Sequence, residues 1–488
     1  MPKLIDLLDA SAPAPAFNPE ISGITGDSRL VQPGALFVAL PGGTDDGRTF
    51  IEDAVSRGAA AIVTDPESAA RLAPLFAIPV HGDANPRRFL ALLAARFYAT
   101  QPRIVAAVTG TNGKTSTACF TRQIWAAAGE RAAAIGTLGV EGPDGLVPGS
   151  MTTPDPVALH AILADLSSAG IDHAVMEASS HGLDQYRLDG VRIAAAAFTN
   201  LTQDHLDYHG SMADYFAAKR RLFEHVLAPG GVAVLNADVP QYAALASSAT
   251  QAGHSILDFG TMAQSLRLIS RRALATTQLL DLEVLGRAYT VELPLVGDFQ
   301  ALNALAALGL AIATGIDAET AVTSLAQLSG VRGRVEKVAQ LPCGASVFVD
   351  YAHTPDGLEK VLTALRPHAA GRLICIFGAG GDRDPGKRPK MGAIVAELAD
   401  LAIVTDDNPR SEEPAAIRAA ILAACPAALE IGDRARAIKT GLGLLQAGDV
   451  LVIAGKGHEQ GQTIAGVVHP FDDAAVARAA AARLDGSR

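Results

Sequence analysis

Short apolar segments alternate along most of the chain with longer segments of mixed polarity. Examples from the middle of the chain are 104–108, 173–177 and 194–198, each ending in or followed by glycine or polar residues. Apolar runs of this length predict buried strands, and the longer segments between them predict helices. The alternation is typical of a mostly parallel sheet covered by helices, which binds ligands at the carboxyl ends of its strands. The sequence therefore predicts an α/β fold.

The pattern predicts three domains. Residues 1–97 are expected to form a small α/β domain, with strands at 36–40 and 59–63 and a helix at 50–57. Residues 98–332 are expected to form a central domain with a mostly parallel sheet, whose further strands are predicted at 132–139, 173–177, 194–198 and 231–235. Residues 333–488 indicate a Rossmann-like, doubly wound domain with strands at 346–349, 373–377, 402–404 and 450–453.

Composition and charge narrow the class of protein. The chain has 488 residues, 49% of them hydrophobic, which is enough for several cores. A formal net charge of −11 argues against a nucleic-acid partner. The four cysteines form no C-x-x-C pair, which argues against a zinc site or a disulfide framework. Since neither a signal-peptide pattern nor an apolar run of membrane-spanning length occurs, we expect a cytoplasmic protein without a membrane span. We also expect a monomer.

The stretch after the apolar run 104–108 carries the clearest chemical signal. Its loop consists of Gly110, Thr111, Asn112, Gly113, Lys114, Thr115 and Ser116, and a helical pattern follows at 117–128. A glycine loop between a strand and a helix, as in P-loop ATPases, presents backbone amides to a phosphate. Lys114 would reach the β- and γ-phosphates, and the Thr115 hydroxyl would bind magnesium. Only two residues separate the glycines, so the alternative is a tight turn with a surface lysine.

Polar residues also close the next two strands. Glu177 ends the run 173–177 and can hold magnesium, directly or through water; the alternative is a turn or N-cap carboxylate. The strand 194–198 leads into a loop with two histidines and two aspartates in six residues, which can build a second divalent-cation site. These four residues are Asp204, His205, Asp207 and His209.

Lys219 lies in the predicted helix 211–226. Helical spacing places it on the same apolar face as Tyr215, Leu222 and Phe223. Burial favours the neutral amine of a lysine. A neutral amine can react with carbon dioxide to form a carbamate, which is an oxygen ligand for a cation.

The second half of the chain adds further candidates. Asn303, near the start of a long apolar helix, can bind a base or simply occupy the first turn. Arg334 lies in a predicted hinge, 331–336. The two alternatives are that it contacts the polyphosphate of a nucleotide and that it makes no such contact. The four strands of the last domain run into polar loops at 350–355, 378–384, 405–410 and 454–459. The glycines at 378–381 resemble a dinucleotide fingerprint only weakly, so no nicotinamide cofactor is expected.

Together these stretches resemble the Mur ligases, the ATP-dependent amino-acid ligases of peptidoglycan precursor synthesis. The resemblance covers nearly the whole chain, and the motifs follow one another in the family's order. They are 110–115, Glu177 with 179–181, Asp204-His205, Lys219, Asn303, Arg334 and 350–353. A closer similarity to the diaminopimelate-adding branch of the family rests on 381–384, 407–410 and 455–459.

The resemblance implies a set of sites. Ser28 would lie near the UDP end of UDP-N-acetylmuramoyl-L-alanyl-D-glutamate, and the muramoyl-peptide would contact Thr152, Thr153, Ser179, Gln185 and Arg187. ATP would contact the loop 110–116 together with Asn303, Arg334 and Asp350. Magnesium would be served by Thr115, Glu177, His205 and carbamylated Lys219, and the catalytic residues would be Lys114, Glu177, His205 and Lys219. meso-Diaminopimelate would contact Arg383, Asp407, Asn408, Pro409, Arg410, Gly455 and Glu459.

Two details of this interpretation depend on single residues. Gln300 stands where relatives often carry asparagine, so the adenine contact is predicted at Asn303. Arg410 can bind the distal carboxylate that distinguishes diaminopimelate from lysine, because a planar guanidinium pairs with carboxylate in a bidentate fork. The alternatives are a lysine-adding relative, a folylpolyglutamate-synthase-like ligase and a non-catalytic nucleotide-binding module.

Overall fold

The computed structural model describes residues 1–8, 17–42, 46–149 and 151–485. By compactness the chain separates into two units, of which the first comprises Met1–Ala263 and Ala306–Asp317 and the second Gln264–Leu305 and Ala318–Arg488. The predicted boundaries near residues 98 and 333 stay predictions. Within the described ranges, no helix has the length and apolar character needed to cross a lipid bilayer.

The first unit begins with a four-stranded parallel sheet in the order β1-β2-β3-β4. Its strands are β1 (Gly23–Thr25), β2 (Ala35–Val38), β3 (Ala61–Thr64) and β4 (Val80–Gly82). Its helices are α1 (Leu4–Leu7), α2 (Ile51–Ser56), α3 (Pro66–Leu72) and α4 (Pro86–Tyr98), and 3-10 turns cover Ser28–Leu30, Gly47–Phe50 and Ala73–Leu75.

The rest of the first unit holds a larger sheet that begins with β5 (Ile104–Thr109), β6 (Ala132–Gly136), β7 (Gly139–Gly142) and β8 (Gly145–Val147). It continues with β9 (His173–Glu177), β10 (Ile193–Phe198), β11 (Leu227–Asn236) and β12 (Ser255–Gly260). The strand order is β12-β11-β10-β5-β9-β6-β7-β8, parallel except for β7 and β8. The helices are α5 (Lys114–Ala127), α6 (Pro156–Ser168), α7 (Ser180–Asp184), α8 (Leu206–His209), α9 (Met212–Arg221) and α10 (Tyr242–Gln251). A π-helical turn, Leu222–Val226, continues α9.

The second unit contains an antiparallel set and a mainly parallel sheet. The antiparallel strands are β13 (Leu266–Ala273), β14 (Gln278–Val284) and β15 (Arg287–Leu293). The main sheet has the order β16-β17-β21-β18-β19-β20, with β16 antiparallel at one edge. Its strands are β16 (Glu336–Gln340), β17 (Ser346–Asp350), β18 (Leu373–Phe377), β19 (Leu401–Val404), β20 (Leu429–Glu430) and β21 (Val450–Ala454). A hairpin of β22 (Gly461–Ile464) and β23 (Val467–Pro470) follows.

The helix α12 (Ala318–Ser324) packs against β15. The main sheet of the second unit is covered by α13 (Pro355–Leu365), α14 (Lys387–Leu398), α15 (Pro414–Leu422), α16 (Arg434–Gly443) and α17 (Asp473–Asp485). A further helix, α11 (Asp298–Ala313), begins in the second unit and ends in the first along the chain. Several helices start with a capping residue followed by proline; the Asn85 side chain, for instance, accepts the amide of Arg88 ahead of α4.

Strand β21 shows why the main sheet of the second unit is a central layer. Val450 and Val452 belong to one apolar cluster, whereas Leu451 and Ile453 belong to another. Successive side chains of a strand point to opposite faces, so both faces of the sheet are buried. Continuous apolar runs such as 450–453 are the expected sequence for such strands. The predicted α/β class is confirmed.

Most predicted strands occur within a few residues of their predicted positions, but one prediction needs correction and three strands were missed. The predicted strand 132–139 ends at Gly136, because the chain turns there before β7 begins at Gly139. The antiparallel strands β13 to β15 were not predicted, although β14 alternates buried and partly exposed residues along its length.

Two arginines of the first unit share the buried carboxylate of Asp189. Arg221 donates to its two oxygens at 2.7 and 2.8 Å, and Arg88 donates to it at 2.8 Å. We expect Asp189→Ala to lower the free energy of unfolding by about 3 kcal/mol, because it leaves the mostly buried guanidinium of Arg221 without its counter-charge. Urea unfolding followed by circular dichroism measures the change. The matched control is Asp53→Ala, which removes an exposed ion pair with Arg57 and should cost less than about 1 kcal/mol; equal losses would contradict the prediction.

Candidate functional site

The loop between β5 and α5 is shaped by its two glycines. Gly110 and Gly113 have φ angles of +146° and +88°, which L side chains rarely adopt. A Cβ atom on Gly110 would also collide with the Thr199 hydroxyl. No side chain caps the start of α5 at Lys114, so the first amides of this 14-residue helix are open to an anion. The loop has the geometry that phosphate binding requires.

The residues after β10 hold this loop in place. The Asn200 carbonyl accepts the Thr111 amide at 2.9 Å, and its side-chain oxygen accepts the Asn112 amide at 3.0 Å. The Thr199 hydroxyl donates to the Asn112 carbonyl at 2.6 Å. Sequence reasoning assigned no role to Thr199 or Asn200, although both lie at the carboxyl end of a predicted strand.

Two lysines meet at the Gly110 carbonyl. Lys114 donates to it at 2.9 Å and to the Thr111 carbonyl at 2.8 Å, whereas Lys219 donates to the Gly110 carbonyl at 2.8 Å from α9. The Lys219 side chain is 1% exposed, and its amine lies 4.4 Å from the centre of the Tyr215 ring. The pKa of Lys219 lies well below its usual range. Burial is the larger cause, and the charge of Lys114 is the second. The neutral amine that carbamate formation requires is therefore favoured.

Glu177 lies at the carboxyl end of β9 and is buried. One of its oxygens accepts the Thr137 amide at 2.7 Å, and the Thr137 hydroxyl lies 3.4 Å from the other. Thr115 and Glu177 line the same small cavity. A hydroxyl and a carboxylate facing one cavity fit magnesium, which completes its shell with water and phosphate oxygens. Sequence reasoning missed Thr137, because the strand before it was predicted to run too far.

His205 lies near the tyrosine ring that Lys219 contacts, without forming a dense ligand cluster. Its φ of +53° marks the turn into α8, and its ring centre lies 6.2 Å from that of Tyr215, the ring that Lys219 also contacts. Among the described residues, no group of three or more His, Cys, Asp or Glu side chains can hold a metal ion. The four predicted polar residues at 204–209 therefore do not form a metal site on their own, and His205 alone remains the predicted ligand.

The predicted muramoyl-peptide residues form a continuous hydrogen-bonded group beside Glu177. The Thr153 hydroxyl donates to the Glu177 carbonyl at 2.8 Å and lies 3.0 Å from the Ser179 hydroxyl. Arg187 donates to the Thr153 carbonyl at 2.7 Å and to the Gln185 side chain at 2.7 Å. The Thr152 hydroxyl lies 3.0 Å from that of Thr137.

Ser28 lies outside this group. It belongs to the 3-10 turn Ser28–Leu30 of the N-terminal sheet and is buried. The hydrogen bonds of the described residues do not connect its side chain with the muramoyl-peptide residues. Its predicted role in binding the UDP end stays a prediction.

In the second unit, Gln300 joins two of the predicted nucleotide residues. Its side-chain oxygen accepts from Asn303 at 3.0 Å, and its amide nitrogen donates to the Arg334 carbonyl at 3.2 Å. The Arg334 guanidinium lies 5.0 Å from the centre of the Tyr351 ring. The two oxygens of Asp350 accept the amides of residues 335 and 352, and burial raises the pKa of this carboxyl against the opposing charge of Arg334. Gln300 therefore orients Asn303, which the sequence interpretation did not foresee.

The predicted amino-acid residues lie at the carboxyl ends of β18, β19 and β21. Asn408 donates to a carboxylate oxygen of Glu459 at 2.9 Å. A Cβ atom on Gly455 would collide with the Asp407 carboxylate, one oxygen of which is buried without a hydrogen-bond partner.

Arg410 is held in an unusual backbone conformation. Its φ is +55°, and its amide donates to the Thr463 carbonyl at 3.0 Å. Its guanidinium donates to the Gly381 carbonyl at 2.7 Å, and a Cβ atom on Gly380 would lie 2.8 Å from it. Gly380 therefore makes room for this side chain, and Gly381 supplies the carbonyl that accepts its hydrogen bond. Arg383 differs, because its exposed side chain donates only to the adjacent Asp382 carbonyl, at 3.5 Å, among the described residues.

Three protein-family models match the chain. The catalytic domain model of the Mur ligase family matches residues 20–98, and the Mur ligase middle domain matches residues 108–311. The glutamate ligase domain of Mur ligases matches residues 333–457. The matches follow the order of the three predicted domains along the chain.

Individual relatives are similar over nearly the whole chain. A protein from Caulobacter vibrioides, named UDP-N-acetylmuramoyl-L-alanyl-D-glutamate--2,6-diaminopimelate ligase, is 53% identical over 94% of this chain and 95% of its own length. A protein of the same name from Bradyrhizobium diazoefficiens is 51% identical over 99% of this chain and 100% of its own length. A solved structure of a ligase with this name has a TM-score of 0.75 and 34% identity, and the match covers 99% of each chain.

Proposed function

The chain belongs to the Mur ligase family, and we propose that it joins meso-diaminopimelate to UDP-N-acetylmuramoyl-L-alanyl-D-glutamate with cleavage of ATP, a step of peptidoglycan precursor synthesis. Relatives named for this reaction are about half identical to the chain over almost its full length. The substrates follow from those names and from the chemistry of the loops described above.

In the first half-reaction, the γ-phosphoryl group of ATP is transferred to the free carboxylate of the muramoyl-peptide. The amides at the start of α5 and the ammonium of Lys114 bind the phosphates and offset the charge that develops during transfer. Thr153, Ser179 and Arg187 orient the muramoyl-peptide beside Glu177. The products are ADP and an acyl phosphate, which is a far better electrophile than the carboxylate.

Magnesium fits the ligands at the loop. Thr115 and Glu177 would hold one ion, and His205 with Lys219 as its carbamate would serve a second. Bound magnesium supplies positive charge to the phosphate oxygens. The low pKa of Lys219 supports carbamate formation, since the neutral amine is the reactive form.

In the second half-reaction, the amine of diaminopimelate attacks the acyl phosphate, an amide bond forms, and phosphate and a proton are released. Arg410 would bind the distal carboxylate, and Glu459 with Asp407 would bind ammonium groups of the amino acid. The observation that best supports the proposal is a contact between the loops after β19 and β21. Asn408 of the first loop donates a hydrogen bond to Glu459 of the second. Polar groups of both signs are thus gathered at one edge of the sheet, as a zwitterionic amino acid requires.

Phosphate release tests the proposal. Purified protein is given MgATP and UDP-N-acetylmuramoyl-L-alanyl-D-glutamate, with meso-diaminopimelate or L-lysine in parallel and with or without bicarbonate. We expect turnover with diaminopimelate to exceed turnover with lysine by about 10⁴-fold, because lysine leaves Arg410 unpaired. Addition of bicarbonate to carbonate-depleted buffer is expected to raise the rate, since it restores the carbamate.

The other outcomes separate the alternatives. Preference for lysine would keep the ligase chemistry and reject the role of Arg410. A parallel reaction with MgATP, a folyl substrate and glutamate tests the other ligase, and turnover in that reaction alone would favour the folylpolyglutamate-synthase-like reaction. ATP binding without substrate-dependent phosphate release, in bicarbonate, would leave a nucleotide-binding module.

A further inference from the structure

Lys456 is a fully buried charged residue next to the predicted amino-acid pocket. Its side chain is 0% exposed, and its ammonium donates to the side-chain oxygen of Asn408 at 2.9 Å and to a carboxylate oxygen of Glu459 at 3.3 Å. Burial of a lysine is costly unless its charge is paired. Of the carboxylates in the described ranges, only that of Glu459 forms an ion pair with it.

The hydrogen bonds of Lys456 fix the orientation of the Asn408 amide. The oxygen of this amide accepts from Lys456 and from the Thr463 amide, each at 2.9 Å. Its nitrogen is therefore left to donate to Glu459, at 2.9 Å. An inverted amide would present its NH₂ group to two donors, so Lys456 and Thr463 together exclude that orientation.

The described residues donate hydrogen bonds to only one of the two carboxylate oxygens of Glu459. Asn408 and Lys456 both donate to the same oxygen, Oε2, and the described residues donate no hydrogen bond to Oε1. The side chain is 34% exposed, so Oε1 is accessible to a ligand. The nearby buried Arg434 does not compete for this carboxylate, because Asp473 pairs with it through two hydrogen bonds of 2.7 Å.

We propose that Lys456 is a positioning residue for the incoming amino acid: through Asn408 and Oε2 of Glu459, it aims Oε1 at the ammonium group of the substrate. This inference rests on the proposed function, in which Glu459 binds that ammonium. Lys456 has no contact with the substrate. Its effect is therefore confined to the affinity for the amino acid and does not extend to the phosphoryl-transfer step.

The test is the KM of Lys456→Met, a variant that keeps most of the side-chain volume and removes the charge and the donors. We expect the KM for the amino acid to rise about 30-fold, because hydrogen bonds to charged groups contribute about 1.5–3 kcal/mol each. The KM values for ATP and for the UDP substrate should change less than about threefold. The factor by which kcat falls at saturating amino acid should be smaller than the factor by which the KM for the amino acid rises. The matched control is Lys360→Met, which removes an exposed lysine of the second unit.

A double-mutant cycle with Glu459→Gln shows whether Lys456 acts through Glu459. If it does, the double variant has nearly the same KM for the amino acid as Glu459→Gln alone. A general structural role would instead multiply the two effects and raise the KM for ATP as well, which would overturn the proposal. Should Lys456→Met fail to fold, Lys456→Leu, which also removes the charge and both donors, takes its place, and an unchanged KM for the amino acid in that variant would also overturn the proposal.

Failure of this inference differs from failure of the proposed function. If the unmodified protein shows no turnover with diaminopimelate, the proposed function fails whatever the variants do. If it turns over diaminopimelate and Lys456→Met has an unchanged KM for it, only the role of Lys456 is rejected. If lysine is the accepted amino acid, the same KM comparison is made with lysine, because both substrates carry the ammonium.

Discussion

Replacement of Lys114 by methionine is expected to lower kcat by about 10³-fold, the loss typical of one group that stabilises transition-state charge. Lys114 is the first residue of α5, and it already donates to two carbonyls of the same loop. During transfer, negative charge spreads over the γ-phosphoryl oxygens, and methionine cannot offset it. Phosphate release at saturating concentrations of all three substrates measures the effect.

The comparison for this prediction is Lys439→Met, which alters an exposed lysine of α16. Its kcat should stay within a factor of about two of the original, as for most surface substitutions away from a site. If Lys114→Met kept similar activity, the loop would be a tight turn with an ordinary surface lysine. ATP binding measured by calorimetry would then also be unchanged.

Replacement of Arg410 by methionine is expected to lower kcat/KM for diaminopimelate by about 10³-fold, which corresponds to the loss of a bidentate, charge-assisted pair worth about 4 kcal/mol. The activity with L-lysine, which lacks the distal carboxylate, should change far less. The ratio of the two kcat/KM values is therefore the decisive measurement. Arg410→Lys should recover only part of the loss, because an ammonium cannot form the planar fork.

Arg436→Met provides the reference, since Arg436 is an exposed arginine of α16. Its preference for diaminopimelate should equal that of the unmodified protein. A preference that survives in Arg410→Met would assign the distal carboxylate to another cation of the pocket. Arg383, an exposed arginine of the loop that contains Gly381, would be the next residue to test.

The sequence was informative where function depends on local order. A strand, a glycine loop and a helix start follow one another within 104–117, and helical spacing alone predicted that Lys219 is buried. Contacts between distant residues left no such pattern. Lys456 and Asn408 are 48 residues apart, and Thr137 reaches Glu177 across 40 residues.

Substitutions between related proteins were harder to interpret than motifs. Gln300 was treated only as a departure from asparagine, yet its longer side chain spans from Asn303 to the carbonyl of Arg334. Whether a replaced residue loses or changes a contact depends on the distance that it must bridge. A sequence does not contain that distance, so the role of Gln300 required the folded chain.

The left-handed backbone of Arg410 limits how this loop can change during evolution. At φ +55°, asparagine, aspartate and glycine are accommodated with the least strain, whereas valine, isoleucine and threonine are disfavoured. The space beside its guanidinium is supplied by Gly380, which would remain after a single replacement. A lineage that changed its amino acid would thus pass first through a short polar residue at this position, with a vacant pocket, before Gly380 was filled. Adaptation to a different cell-wall amino acid would then be a stepwise path of at least two substitutions.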